Sequence, residues 1–457
     1  LSPPPASQPV DRAGPPAPRA TEPYVFPAFS RRVLPGGLEV LPVPVAGSAV
    51  ASLELVFPAG SWYDPPAAAG LGSLVSGLLD EGTEEHSALE IASAVERLGG
   101  RLETGADWDV GSASVRLLGD YLDEGIGLLA EVALRPSFPA DEVERARRNR
   151  LTDLLRRRDQ PGVLAGDHFS RLVYGGTPYG RPLVGLSEDV QSLTREDAVA
   201  FFHRYYPPAR AVLIGVGELD PERLAAAAAA AFGDAPAAEP LAAPEIAPPP
   251  IESVRVRIVD RPGAAQTELR IGHQGVPRSH PDWSPLAVLN TLLGGKFTSR
   301  INLNLRERHG FTYGASSRFA PRLGPGPFVV NAAVANPAAG AAAREVLAEL
   351  DRLRDAPVEP EELSETKSYI LGVFPYTLQT VDGILHHLET LAVYGLPDDY
   401  YAPERYLARL DAVSREEIQR VARDHLHPER AVIVAVGPAG ELAPQLEGLG
   451  ELDVVAS

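Results

Sequence analysis

The sequence predicts an α+β fold built from two homologous domains, and three observations carry that expectation. Pro208–Gly217 reads PARAVLIGVG and Pro428–Gly437 reads PERAVIVAVG, an offset of 220 residues. At the same offset FPADEVERARRNRL (Phe138–Leu151) matches VEPEELSETKSYIL (Val358–Leu371), and two matches at one offset mark a duplicated domain. Each half also opens on segments that alternate apolar and polar, as half-buried strands require: Leu38–Val43 and Val50–Phe57, then Val254–Val259 and Thr267–Gly272. Helical spacing follows, with Leu71, Leu74, Val75, Leu78 and Leu79 in the first half and Leu286, Leu289, Leu292 and Leu293 in the second. Strands and helices in this order suit a largely antiparallel sheet with helices on one face.

Taken in order, residues 1–25 hold eight prolines with Ala and Ser, an extended tether rather than a packed element. The first domain spans 26–233 and includes the helical stretch Asp141–Arg158. It closes on an apolar strand at Ala211–Gly217. A second Pro/Ala stretch, Asp234–Pro250 with six prolines, marks a linker over 234–253. The second domain covers 254–457 and closes on Ala431–Gly437.

The chain has 457 residues, 44% hydrophobic and 23% charged, enough for several domains and a sizeable core. A net charge of −19 argues against nucleic acid or an anionic membrane surface as partner. No apolar run reaches the roughly 18–20 residues a membrane span needs. With no cysteine there is neither a disulfide nor a thiolate metal site. The chain starts at Leu1 and contains no Met. A Pro/Ala-rich start without an initiator Met fits a mature exported chain, periplasmic or otherwise, after signal removal; a truncated chain would look the same.

Several motifs carry no chemistry. Gly294-Gly295-Lys296-Phe297-Thr298 lacks the full phosphate-loop pattern, and no G-x-S-x-G elbow is present. The ten histidines form no H-x-x-E-H, H-E-x-x-H or i,i+4 pair. His386 and His387 are adjacent in an expected helix. His425-Leu426-His427 would place two rings on one strand face, but its first-half counterpart is Tyr205-Tyr206-Pro207 and no third ligand stands out.

Residues 68–83 read AAGLGSLVSGLLDEGT. The segment resembles the zinc-binding helix of inverzincin peptidases of the pitrilysin/insulinase family, in which H-x-x-E-H sits in a frame like Gly-Leu-x-His-x-x-Glu-His-x-x-x-x-Gly-Thr. Gly70, Leu71, Gly82 and Thr83 keep the frame, while Ser73, Ser76 and Gly77 stand at the chemical positions. Two imidazoles one turn apart would bind zinc and the glutamate would activate water; Ser, Ser and Gly do neither. The family's distal glutamate lies about eighty residues beyond the first histidine. Counting from Ser73 reaches Asp153, which without histidines reads as a surface carboxylate. In the second half LRERHGFTYG (Leu305–Gly314) resembles the family's L-R-E-x-x-G-x-x-Y segment, whose Arg and Tyr face the substrate. Arg306 and Tyr313 keep its spacing. On their own the two could merely hold a turn, with Gly310 as a helix C-cap; with Leu305, Glu307, Gly310 and Gly314 also in place, the resemblance favours donors to a peptide carbonyl. Gly99–Ala106 resembles the strand beside the metal helix. It would add extended peptide at its edge or simply complete the sheet.

The resemblance implies two α/β-roll domains facing each other as a clam-shell. It further implies a chain that is not an enzyme alone but the non-catalytic subunit of a heterodimeric zinc peptidase. This chain would hold no cofactor. A homologous catalytic partner with H-x-x-E-H would carry the zinc, Arg306 and Tyr313 would act in trans, and the substrates would be unfolded peptides. A homodimer of the isolated chain is compatible with this. The alternative is a structural or peptide-binding protein of the same fold with no part in catalysis.

Overall fold

The computed structural model describes residues 24–233, 238–239, 241 and 248–456. The expected tether over 1–25 falls almost wholly outside the described residues, as does much of the 234–253 linker. Two six-stranded sheets form. The first has the order β1-β2-β6-β3-β5-β4, with β1 Arg32–Val33, β2 Glu39–Pro44, β3 Val50–Phe57, β4 Arg101–Ala106, β5 Gly111–Leu118 and β6 Val212–Gly217. The second has the order β12-β7-β11-β8-β10-β9, with β7 Arg255–Asp260, β8 Gln266–Gln274, β9 Ala315–Phe319, β10 Pro327–Ala335, β11 Val432–Gly437 and β12 Glu451–Ala456. The duplication holds for five strands of each sheet: β2 runs parallel to β6 as β7 does to β11, and the pairs β6–β3, β3–β5 and β5–β4 are antiparallel, as are β11–β8, β8–β10 and β10–β9. The sixth strands differ, β1 pairing antiparallel with β2 and β12 parallel with β7.

The strands form where the alternation expects them, each within two residues. Two expectations fail. Neither half closes on its apolar strand: the helix Pro221–Phe232 follows β6, and in the second half the helix Ala439–Leu446 follows β11 and leads into β12, which pairs parallel with β7. The helix after β3 runs only from Leu71 to Ser76, because Gly77 ends it; Leu78 and Leu79 stay fully buried in the turn that follows.

Each sheet buries both faces. On the inner face of the first, Val40, Leu53, Leu55, Phe57, Ala113, Val115, Leu117 and Leu213 pack against helices of their own half. On the opposite face Leu41, Val43, Val56, Ile214 and Val216 pack against Val381, Ile384, Leu388 and Leu391, which belong to the second half's Val381–Val393 helix. The relation is reciprocal. The first half's Pro161–Tyr174 helix lays Ala165, Phe169 and Val173 on Val259, Val329, Val432, Val434 and Val436 of the second sheet. This exchange explains why β6 and β11 read as unbroken apolar runs, since neither has a solvated face.

Polar contacts lock the same junction. Asp109, in the turn between β4 and β5, is fully buried; its carboxylate accepts from the Tyr179 hydroxyl at 2.6 Å and from the Leu323 backbone N–H of the other half at 3.1 Å. Arg322 stacks on Trp108 at 4.3 Å. Burial raises the Asp109 carboxyl to about 6 against the opposing hydrogen bond from Tyr179.

Candidate functional site

The Leu71–Ser76 helix is set by its N-terminus. Gly70 takes a left-handed φ of +91°, and a Cβ there would stand 2.7 Å from the Val184 carbonyl. The buried Asp64 carboxylate accepts from the Gly70 and Gly72 N–H groups, each at 2.7 Å, and so satisfies two of the helix's orphan donors. Burial raises Asp64 to about 6, partly countered by those two hydrogen bonds.

Ser73 and Ser76 both point into protein. The Ser73 hydroxyl lies 2.8 Å from the Leu183 carbonyl and 3.1 Å from that of Gly70, and accepts a 2.8 Å hydrogen bond from the Arg150 guanidinium. Arg150 comes from the Ala140–Arg157 helix and also donates to the Val184 carbonyl at 3.2 Å. Burial draws its guanidinium below the usual arginine range, opposed by the Asp153 and Asp64 charges. Ser76 donates to the Gly105 carbonyl of β4. Gly77 is exposed, and a Cβ there would meet only ordinary contacts, the nearest the Ser73 carbonyl at 3.5 Å. Sterics therefore do not exclude a histidine at 77.

These residues do not fit zinc. Two hydroxyls and a glycine replace two imidazoles and a carboxylate, and a guanidinium sits within hydrogen-bond reach of the first position, where a cation would be repelled. Asp153 is exposed and pairs with Arg156 at 3.4 Å. Of this helix it is Arg150, one turn earlier, that touches Ser73. The sequence signal for Arg150 was present only as an arginine about one helical turn from the counted position.

The segment of the second half is better preserved. Leu303–Arg308 forms a widened, π-type helical turn that stops at Gly310, whose φ of +64° is the C-cap geometry expected of it. Leu305 is buried and anchors the turn, and the Phe311 N–H returns to its carbonyl at 2.8 Å. The Thr312 hydroxyl donates to Ala333 at 2.6 Å and accepts from the Gly314 N–H at 3.1 Å, which fixes the loop around Tyr313. Tyr313 is 91% exposed. Arg306 lies over the Phe297 ring at 4.4 Å and beside Glu307 at 3.4 Å. Phe297, Lys296, Tyr369 and Tyr313 line an open groove of about 560 Å³ beside β9. Tyr313 lines this groove, and Arg306 stands behind it, stacked on the Phe297 ring that lines it. β9 is the edge strand of the second sheet, as β4 is of the first.

The histidines gather differently from the sequence expectation. His425 ends the Arg415–His425 helix and lies on no strand. Its Nε2 meets Asp282 at 2.7 Å, and His280 stacks edge-on at 5.1 Å, so a potential ligand trio does exist. Its chemistry opposes a metal. Arg420 donates to both Asp282 oxygens, at 2.7 and 3.2 Å, and His280 Nδ1 accepts the Asp282 N–H at 3.1 Å, which places the proton of the neutral ring on Nε2. His273 is buried and held near 3 by that burial; it stays neutral and accepts the His427 N–H at 3.1 Å.

A duplicated α+β roll with a remnant metal helix in one half and an Arg/Tyr segment in the other defines a metallopeptidase-type protein. The chain belongs to the insulinase family, peptidase family M16. Residues 44–186 match the family model described as "Insulinase (Peptidase family M16)", and residues 192–370 match "Peptidase M16 inactive domain". An uncharacterized zinc protease of Mycobacterium tuberculosis is 28% identical over 95% of this chain and 97% of its own length. One of Streptomyces coelicolor is 25% identical, covering 89% of each. Among solved structures, a peptidase M16 inactive domain from Pseudomonas fluorescens superposes with a TM-score of 0.82 at 28% identity, over 90% of this chain and 98% of its own. A protease from Helicobacter pylori shares the fold at a TM-score of 0.83 and 21% identity, over 90% of this chain and all of its own.

Proposed function

We propose that this chain is the non-catalytic subunit of a two-subunit zinc metallopeptidase. A homologous partner carrying H-x-x-E-H would hold the zinc and activate the water. This chain would supply the facing wall, with Arg306 and Tyr313 donating to the carbonyl of an extended, unfolded peptide. The observation that carries the reading is an asymmetry: the hydroxyls at the metal positions are committed to Arg150 and Gly105, whereas Tyr313 projects freely from a braced loop. The exposed edges of β4 and β9 support it, since an extended peptide can add to such an edge by backbone hydrogen bonds.

Co-expression with an H-x-x-E-H homologue tests this. The expected outcome is a stable complex that cleaves peptides, while the isolated chain, after dialysis, holds no stoichiometric zinc and cleaves none. About one tightly held zinc per isolated chain, lost together with a peptidase activity, would overturn the reading.

A further inference from the structure

A second site lies at the junction of the two halves, away from both the Ser73 helix and the Tyr313 groove. A cavity of about 380 Å³ is enclosed by the β4–β5 turn of the first half and by helices and loops of the second. That volume suits a small organic ligand. Its walls are largely aromatic, including Trp283, Phe374, Tyr394, Tyr400 and Tyr401.

The walls carry two arginines, Arg278 and Arg322, and two carboxylates, Asp107 and Glu389, but the opposite charges do not pair with one another. Arg278 is only 6% exposed, yet no carboxylate lies within ion-pair distance of it among the described residues. Its guanidinium stacks over Trp283 at 4.8 Å and Tyr400 at 5.0 Å, and its polar partners are phenol hydroxyls, that of Tyr400 at 3.4 Å and that of Tyr401. Arg322 also lines the cavity and, among the described residues, has no carboxylate at that distance, although its charge acts on the buried Asp109. The carboxylates nearby are engaged elsewhere. Asp107 accepts the backbone N–H groups of Asp109 and Val110 at 2.7 and 2.8 Å, Asp109 holds Tyr179 and Leu323, and Glu389 pairs with His386 at 3.4 Å. His387, the other titratable group on the wall, bonds to Thr377 at 2.7 Å. A buried guanidinium without a counter-ion is costly, and in a chain of net charge −19 a counter-ion would be easy to supply. Its absence here leaves a place for an anion from outside.

We propose that this cavity binds a small carboxylate carried on an aromatic or aliphatic body. The carboxylate would be received by Arg278 and Arg322, and the apolar body would stack among the tyrosines. Arginine's planar fork matches a carboxylate, and the rings supply apolar area at fixed geometry. The site joins both halves, so occupancy would also stabilise the chain by mass action.

Calorimetric titration of the full chain with 3-phenylpropionate tests the proposal, with 3-phenylpropionamide as the neutral match. The expected result is saturable one-to-one binding of the acid and at least about tenfold weaker binding of the amide, since an ion-paired hydrogen bond is lost. Arg278→Gln should weaken the acid by a similar factor. Thr390→Trp, which fills the cavity and keeps both arginines, should abolish binding even if the arginine variant fails to fold. Competition by Gly-Gly-Phe with a free C-terminus would extend the ligand class to peptide ends; no competition would confine it to free small acids. Absence of saturable binding, or equal binding of acid and amide, would overturn the proposal. The readout is binding by the chain alone, so failure would not bear on the peptidase-subunit reading.

Discussion

Ser73, which stands where the family frame would place a metal-binding histidine, is engaged by protein instead. Its hydroxyl bridges a carbonyl and the Arg150 guanidinium, so the positive charge is supplied by a side chain. Returning Ser73, Ser76 and Gly77 to His, Glu and His should therefore not restore a strong zinc site while Arg150 remains. Adding Arg150→Gln should tighten zinc binding by at least about tenfold, as removal of a nearby like charge requires. Competition with a chelator measures both variants, and equal affinity would show that Arg150 is irrelevant. Glu54 gives a second test. It lies on β3 under the exchanged helix, and burial, with the Glu389 charge next, raises its carboxyl to about 8. Its proton favours the folded state. That contribution is full below the unfolded value near 4.5 and is lost as pH rises toward about 8. Glu54→Gln should leave Tm nearly unchanged at pH 5 and raise it by on the order of several degrees at pH 8. Thermal melts at both values check the sign. At this scale Ser73, Ser76 and Gly77 were legible in the sequence as positions of interest, because the Gly70, Leu71, Gly82 and Thr83 frame around them is a local pattern. It did not disclose Arg150 or Glu54, since what a side chain meets across the fold has no local signature.

The elements that hold the molecule together are the two exchanged helices. Pro161–Tyr174 and Val381–Val393 each cover the other half's sheet, which ties the halves through apolar area as well as through the Asp109 turn. Leu388 is fully buried against the first sheet, so Leu388→Ala should cost about 2–5 kcal/mol. Denaturant titration should show that loss with one cooperative transition for the described core. Two separate transitions would mean that the halves fold independently and the exchange is weak. Strand positions were legible because period-two alternation and a 220-residue repeat both specify them. The exchange was not legible: amphipathicity marks an apolar face on a helix but not which sheet receives it. β12 was missed for a related reason. It is an edge strand with mostly exposed residues, and its short run pairs parallel with a distant β7.

For the whole molecule, the exchanged helices interlock the two halves, so under the proposed function a peptide would enter between this chain and its partner rather than between its own two domains. Each sheet has one edge strand beside a segment singled out above, β4 near Ser76 and β9 near Tyr313. In the proposed function, the chain's contribution to peptide cleavage rests on Arg306 and Tyr313. The most direct measurement is steady-state turnover of a peptide by the complex reconstituted with an H-x-x-E-H partner, comparing wild type with Arg306→Ala and Tyr313→Phe. Tyr313 is almost fully exposed and Arg306 fills no core, so folding and assembly should persist. The expected result is a fall in kcat on the order of 10²–10³ with a smaller change in KM, as for donors that act chiefly on developing charge. Wild-type turnover by both variants in an intact complex would contradict a role in trans and leave the pair as a structural turn.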